Sequence, residues 1–307
     1  MGDLPWWMGL APLMGFLLDA LLGGTRAEEL VHGWIRRNVP RMDFVMRQAF
    51  GGPTAKAGYG LAIWYGLIAF CGAWFLSVLG RIVYEDYGLF LVRSLLFLFL
   101  FSARRLTIVG IQTLAQLSAG DLDGTRRTLW AIGVNAQDED VNSLSGTAVK
   151  ALSGGMLGAA FIPLFWGLGG AELAATALAV HLVARQGVGQ PADAQEMWDG
   201  AARVDRWLSW PAAWLAGIVV PIVIGLVGGR RTTALATFVT RKSLPPTDRL
   251  ASALAKGFGF GEAAGGYEDG PECSPADVQR VIQVLFLAGM AGAVVASGLA
   301  VLGFHIL

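Results

Sequence analysis

Three ionisable side chains fall inside long apolar stretches of the sequence: Asp19, Arg93 and His181. A charge in such a stretch is costly unless it is paired, and it usually faces the protein interior. Arg93 sits about a turn and a half into its stretch and calls for a carboxylate partner; Asp19 is a candidate if the two lie at one depth. Asp19 is also close enough to the end of its own stretch to reach the interface, so a structural and a functional reading both stand. His181 has no Cys, Asp, Glu or His at ligand spacing, which leaves a buried or interfacial histidine and no metal motif. Three acidic groupings are further places to look for catalysis: Asp138-Glu139-Asp140, Glu268-Asp269, and Asp199 with Asp205. A magnesium–phosphate site needs carboxylates that converge with basic or backbone N–H groups, and spacing in sequence does not decide convergence. Gly257-Phe258-Gly259-Phe260-Gly261 has glycines like a dinucleotide loop but neither the strand before it nor the acidic residue after it. Gly154 and Gly158 form a small-xxx-small pair, which on a membrane helix favours close packing of a neighbour. Cys71 and Cys273 fit neither a disulfide framework nor a metal spacing.

The elements that must position these residues are set by composition. With 54% apolar residues, 15% charged residues and a mean hydropathy of +0.54, the 307-residue chain fits poorly with a water-soluble surface. Its zero net charge and lack of a clustered basic face argue against nucleic acid as a partner. A bilayer core takes about 20 apolar residues of helix, and six segments approach that: 4–22, 58–80, 88–103, 155–183, 207–228 and 281–302. The fourth, with apolar residues from about 151, carries Gly154, Gly155, Gly158, Pro163, Gly167, Gly169 and Gly170, so it reads either as one tilted helix or as a helix plus a re-entrant turn. Trp207, Trp210 and Trp214 open the fifth and suit a membrane interface. The N-terminus lacks a basic region and a cleavage site and reads as a retained helix. Residues 28–50, with Val31, Trp34, Ile35 and Val39 at helical spacing, and residues 104–130 read as amphipathic helices, the first of them on the membrane surface. Ser274-Pro275-Ala276-Asp277 reads as a helix start. The expected fold class is an all-α integral membrane protein of five to six transmembrane helices with amphipathic helices in its loops, forming a single membrane domain over residues 1–307.

Lys and Arg set the expected orientation, because short loops rich in them stay cytoplasmic. Loop 25–57 holds six, loop 104–150 five and loop 229–280 seven, against four on the other side. The reading places the three long loops in the cytoplasm and both termini outside, in a bacterial inner membrane.

Several stretches, in order along nearly the whole chain, resemble the membrane-bound adenosylcobinamide-phosphate synthases of cobalamin biosynthesis, the CobD/CbiB family. Leu18-Asp19-Ala20-Leu21-Leu22-Gly23 is similar to the family's opening "LDxxxGD". Leu117 to Leu122 with Arg126 and Leu129 resembles "L..GDL..AR..L", and Pro163-Leu164-Phe165-Trp166 with Gly169-Gly170-Ala171 resembles "APLFW...GGAP". Ala202-Arg203-Val204-Asp205 with Pro211-Ala212 is similar to "ARxDD...PARL", and Gly265-Gly266-Tyr267 with Ser274 to Val278 resembles the family's C-terminal stretch. The resemblance implies a ligase reaction, the ATP-driven joining of adenosylcobyric acid to aminopropanol or its phosphate, with ATP and Mg as cofactors and a corrinoid as partner. The surviving family-like polar positions are Asp19, Asp121, Arg126, Arg203 and Asp205.

The family's most polar motifs are eroded here. Its "GRDT" reads Gly133-Val134-Asn135-Ala136; its "E...AENxxDG" falls on Lys150, Ser153-Gly154-Gly155 and Gly158-Ala159; its "NTLDS" falls on His181-Leu182-Val183-Ala184-Arg185; the second aspartate of "DD" is Arg206; and "SPN" is Leu244-Pro245-Pro246. A single electrostatic stabiliser is worth ~10²–10³-fold in rate, so these losses point to a retained fold with the reaction lost. The chain also resembles, distantly, AmpE, a membrane protein paired with a cell-wall amidase in β-lactamase induction. That likeness runs through Trp210-Pro211 and Leu215-Ala216-Gly217. It implies a non-catalytic inner-membrane regulator or scaffold, with a protein partner or a homo-oligomer left open.

Overall fold

In a lipid solvent each backbone N–H and C=O must be satisfied within its own segment, and the apolar runs fold accordingly as helices. The computed structural model describes residues 5–22, 26–132, 134, 136, 140–187, 191–241, 244–260 and 272–302, with the backbone alone at 26–32 and 36. Among the described residues there is no strand. The helices are α1 (Ala11–Leu22), α2 (Arg26–Ala49), α3 (Ala55–Leu100), α4 (Ala103–Ser118), α5 (Leu122–Ala131), α6 (Val141–Met156), α7 (Ile162–Gly167), α8 (Ala171–Ala184), α9 (Gln195–Leu226), α10 (Arg231–Thr240), α11 (Pro246–Phe258) and α12 (Pro275–Val301). Four helical stretches are long and apolar enough to cross a membrane, Ala55–Ser118, Val141–Gly167, Ala192–Leu226 and Pro275–Val301, and Trp6–Leu22 is a shorter apolar one. The chain is an all-α membrane protein.

The chain divides into two compact units. The first holds residues 1–102, 162–212 and 293–307. Its α3 contains the expected segments 58–80 and 88–103 as two arms, separated where Tyr84 (φ −139°) and Glu85 (φ 52°) leave helical geometry. The arms fold back on each other through Gly80 and Gly88: a Cβ on Gly88 would lie 2.0 Å from the Gly80 carbonyl oxygen. The outer face of the first arm stays apolar and exposed, with Leu67 at 55%, Trp74 at 55%, Phe75 at 56% and Ile82 at 73%. A patch of that extent on a water-soluble protein would be a partner surface; on this chain it is the face for lipid.

The segment expected at 155–183 is not one helix. After α6 a π-helical stretch (Leu157–Phe161) leads into α7, and the chain then turns at Leu168–Gly170 and starts again as α8. Gly170 has φ +114°, a conformation that a residue with a Cβ rarely adopts, and it caps α8. The apolar count along the sequence ran across this turn because Leu168, Gly169 and Gly170 carry no polar side chain. α8 packs chiefly on α3 and on α7. The core beside it is built from Ile35 and Val39 of α2, Leu61 and Tyr65 of α3, Val180 and Val183 of α8, and Met197, Trp198 and Ala201 of α9. Ile35 and Val39 are the stripe expected on residues 28–50, and Trp34 stands edge-on to Tyr65 at 5.8 Å. α9 begins well before position 207 because Met197, Trp198 and Ala201 give its first turns a buried face.

The second unit holds residues 103–161 and 213–292. The amphipathic stretch 104–130 is two helices, α4 and α5, parted at Ala119–Asp121. Asp121 caps α5 by accepting from the Gly124 N–H at 2.8 Å. Asp140 caps α6 by accepting from the Asn142 and Ser143 N–H groups, and α12 opens as expected at Ser274, whose N–H donates to Asp277 Oδ2 at 3.0 Å. Gly154 lies in ordinary contact with Thr247; the tight approach is at Gly155, where a Cβ would come within 2.7 Å of Leu106. The glycines from 257 end α11, with Gly259 (φ +81°) as a left-handed cap whose N–H donates to the Ala255 carbonyl. They form a helix stop, and Gly261 lies outside the described residues.

Candidate functional site

Helix α8 carries two buried ionisable groups of the first unit, Glu172 and His181. Glu172 stands in its first turn, where the helix dipole favours a carboxylate, and is 8% exposed. It meets Arg93 from the second arm of α3, with Nη2 to Oε1 at 3.6 Å. The carboxylate partner of Arg93 is therefore Glu172, and nothing in the residue pattern sets it above Asp19. Asp19 itself is buried in α1, at 1% exposure.

Two and a half turns further along α8, His181 is 4% exposed and its Nδ1 lies 3.0 Å from Asp205 Oδ1 on α9. A carboxylate only accepts, so Nδ1–H donates and a neutral ring keeps its free lone pair on Nε2. That Nε2 is buried and has no hydrogen-bond partner among the described residues. Arg185, one turn on from His181, also feels Asp205: burial pushes its guanidinium below its ordinary value, and the Asp205 charge acts in the opposite direction. The Tyr65 hydroxyl and Trp198 Nε1, both within the core beside α8, are likewise buried without a partner among the described residues. A histidine oriented by an aspartate is the arrangement that general bases use, and a buried imidazole in a membrane-embedded unit is a place where a proton or a polar ligand could be held.

The other family-like polar residues have separate duties. Arg203, exposed on α9, donates from Nη1 to the Tyr59 hydroxyl at 3.2 Å. In the second unit Asp121 is the α5 cap, and Arg126 pairs with Asp123 at 2.8 Å on the same helix. Of the acidic groupings, Asp140 is a cap and its carboxyl is held below the usual range by hydrogen bonds from Ser143. Asp199 accepts from Gln195 within α9 at 3.4 Å. Asp138, Glu139, Glu268 and Asp269 lie outside the described residues. Among the described residues no three His, Cys, Asp or Glu side chains are grouped so as to hold a metal ion. Cys71 and Cys273 are free; Cys273 is buried, and burial together with the Asp277 charge pushes its thiol up to about 12.

Three of the motif stretches meet within the first unit. The turn after Pro163-Leu164-Phe165-Trp166 leads into α8, Trp166 Nε1 donates to the Leu208 carbonyl of α9 at 2.8 Å, and His181 meets Asp205 beside it. No family model, curated protein or solved structure matches the chain.

Proposed function

We propose that this chain is a CobD/CbiB-like protein of the bacterial inner membrane that has kept the helical scaffold and given up the ligase reaction, and that it acts there as a regulator or scaffold for another protein. One observation carries the reading. Two of the stretches that resemble the synthases, around Trp166 and Asp205, meet in the first unit, yet their surviving polar residues are engaged in holding helices: Arg203 with Tyr59 and Asp205 with His181. Asp121 does the same within the second unit as the cap of α5. A ligase would need such groups free to meet ATP, magnesium and an activated acyl group. The positive-inside count supports placing loops 25–57, 104–150 and 229–280 in the cytoplasm, where a soluble partner would reach them.

A second reading, that chemistry is retained, is favoured by the His181–Asp205 pair with its unpartnered Nε2. The two separate in cells. Expressed in a bacterial strain that lacks its own synthase and grows only when cobalamin is completed, the chain is expected to give no growth while an intact synthase restores it. Growth at the level of the intact enzyme would overturn the proposal.

A further inference from the structure

Helix α5 has a face that neither reading uses. Residues 123, 126, 127 and 130 follow the i, i+3, i+4, i+7 spacing of one helical stripe, while Thr125 and Leu129 on the other side are fully buried. Along the stripe Arg126, Arg127 and Trp130 line, with Ala136, a depression of about 240 Å³. Arg126 is held in place by Asp123 at 2.8 Å. Arg127 is exposed, its Nε donates to the Asp123 carbonyl at 3.3 Å, and its two terminal amino groups have no partner among the described residues. The stripe itself carries two guanidinium groups and one carboxylate. Trp130, 65% exposed at the end of the helix, is the residue type that settles at the headgroup level of a bilayer.

We propose that this depression binds a phosphate group, with Arg127 donating to its oxygens, Arg126 adding charge and Trp130 covering the apolar part of the molecule that carries it. Guanidinium groups match phosphate oxygens in planar, paired hydrogen bonds. A lipid headgroup and a soluble phosphate ester share that chemistry, and Trp130 favours the lipid. The site stands apart from the proposed loss of ligase activity and does not depend on it.

The test is native mass spectrometry of the full chain in detergent, with phosphatidylglycerol, phosphatidylcholine and glycerol phosphate as separate probes, on wild type, Arg127→Gln and Trp130→Ala. Both side chains are exposed, so both variants are expected to fold, and thermal unfolding checks that. Retention of phosphatidylglycerol over phosphatidylcholine, reduced about tenfold in Arg127→Gln, is the expected result, since a hydrogen bond to a charged group is worth that much. Loss in Trp130→Ala of the lipid alone identifies a headgroup site. Binding of glycerol phosphate as well, lost in Arg127→Gln and kept in Trp130→Ala, identifies the phosphate group by itself as the ligand. No probe retained, or equal retention in wild type and Arg127→Gln, overturns the site.

Discussion

Replacing Asp205 by Ala should destabilise the protein by about 3 kcal/mol, and the size follows from what the side chain touches. Its carboxylate accepts from His181 Nδ1 at 3.0 Å, with the two side chains 18% and 5% exposed. A hydrogen bond to a charged group contributes ~1.5–3 kcal/mol, and an imidazole nitrogen left buried without a partner costs ~1–3 kcal/mol. His181 already has one such nitrogen in Nε2, so the variant leaves the ring with none of its polar atoms met by the described protein groups. Arg185 loses its neighbouring negative charge as well. The two contributions overlap, and the partial exposure of Asp205 lets water replace some of what is lost, so their sum is an upper bound. Asp205→Asn keeps an oxygen in place for Nδ1–H and should cost about 1 kcal/mol. The assay is denaturant unfolding in mixed micelles, run as a cycle with His181→Leu. In that background Asp205→Ala should cost about 2 kcal/mol less than in wild type, because the shared contact is already gone. A cost below about 0.5 kcal/mol in wild type, or the same cost in both backgrounds, would refute the reasoning.

Other expectations can be read by the same unfolding experiment or by labelling. Gly88→Ala should cost about 1–3 kcal/mol, because its new methyl meets the Gly80 carbonyl oxygen at 2.0 Å, whereas Gly72→Ala, with nothing within 4 Å, should be neutral or slightly stabilising. Equal effects would contradict the hairpin. Asp121→Ala should cost about 1 kcal/mol through loss of the α5 cap, and Asp121→Asn much less; a silent Ala variant would show that the cap is not made. In a Cys71→Ser background Cys273 should stay unlabelled by a maleimide at neutral pH until the protein is unfolded, since the thiol is buried and its pKa is pushed up to about 12. The folded state holds the proton while the unfolded chain releases it, so stability should also fall as pH rises from the ordinary thiol value, about 8.5, towards 12. Rapid labelling of the folded protein would place Cys273 at the surface.

Much of the helix inventory was legible because the bilayer imposes it: long apolar runs form helices, and Ser274-Pro275-Ala276-Asp277 marks the start of α12, where the Asp277 carboxylate accepts from the Ser274 N–H. The break between α7 and α8 was half legible. Its glycines are plain in the sequence, but whether a glycine cluster bends a helix or ends it depends on the φ of one residue, Gly170. The partners were not legible. Glu172 and Arg93 lie on α8 and α3, His181 and Asp205 on α8 and α9, and only the packing of α8 against α3 and α9 brings each pair together. The signal that was available for His181 was its place in an apolar helix, which asks for a partner without saying where it is. For Arg127 and Trp130 there was an i, i+3 pairing of a cation and an aromatic on a helix expected to lie in a basic loop.

The loss of ligase chemistry is tested most directly by incubating the detergent-purified chain with ATP, magnesium, adenosylcobyric acid and aminopropanol phosphate, beside an intact synthase, and reading the products by mass spectrometry. The account predicts folded protein, an active control and no amide product from this chain. Amide product at a rate comparable to the control would contradict it, and would make His181 and Asp205 the first residues to replace.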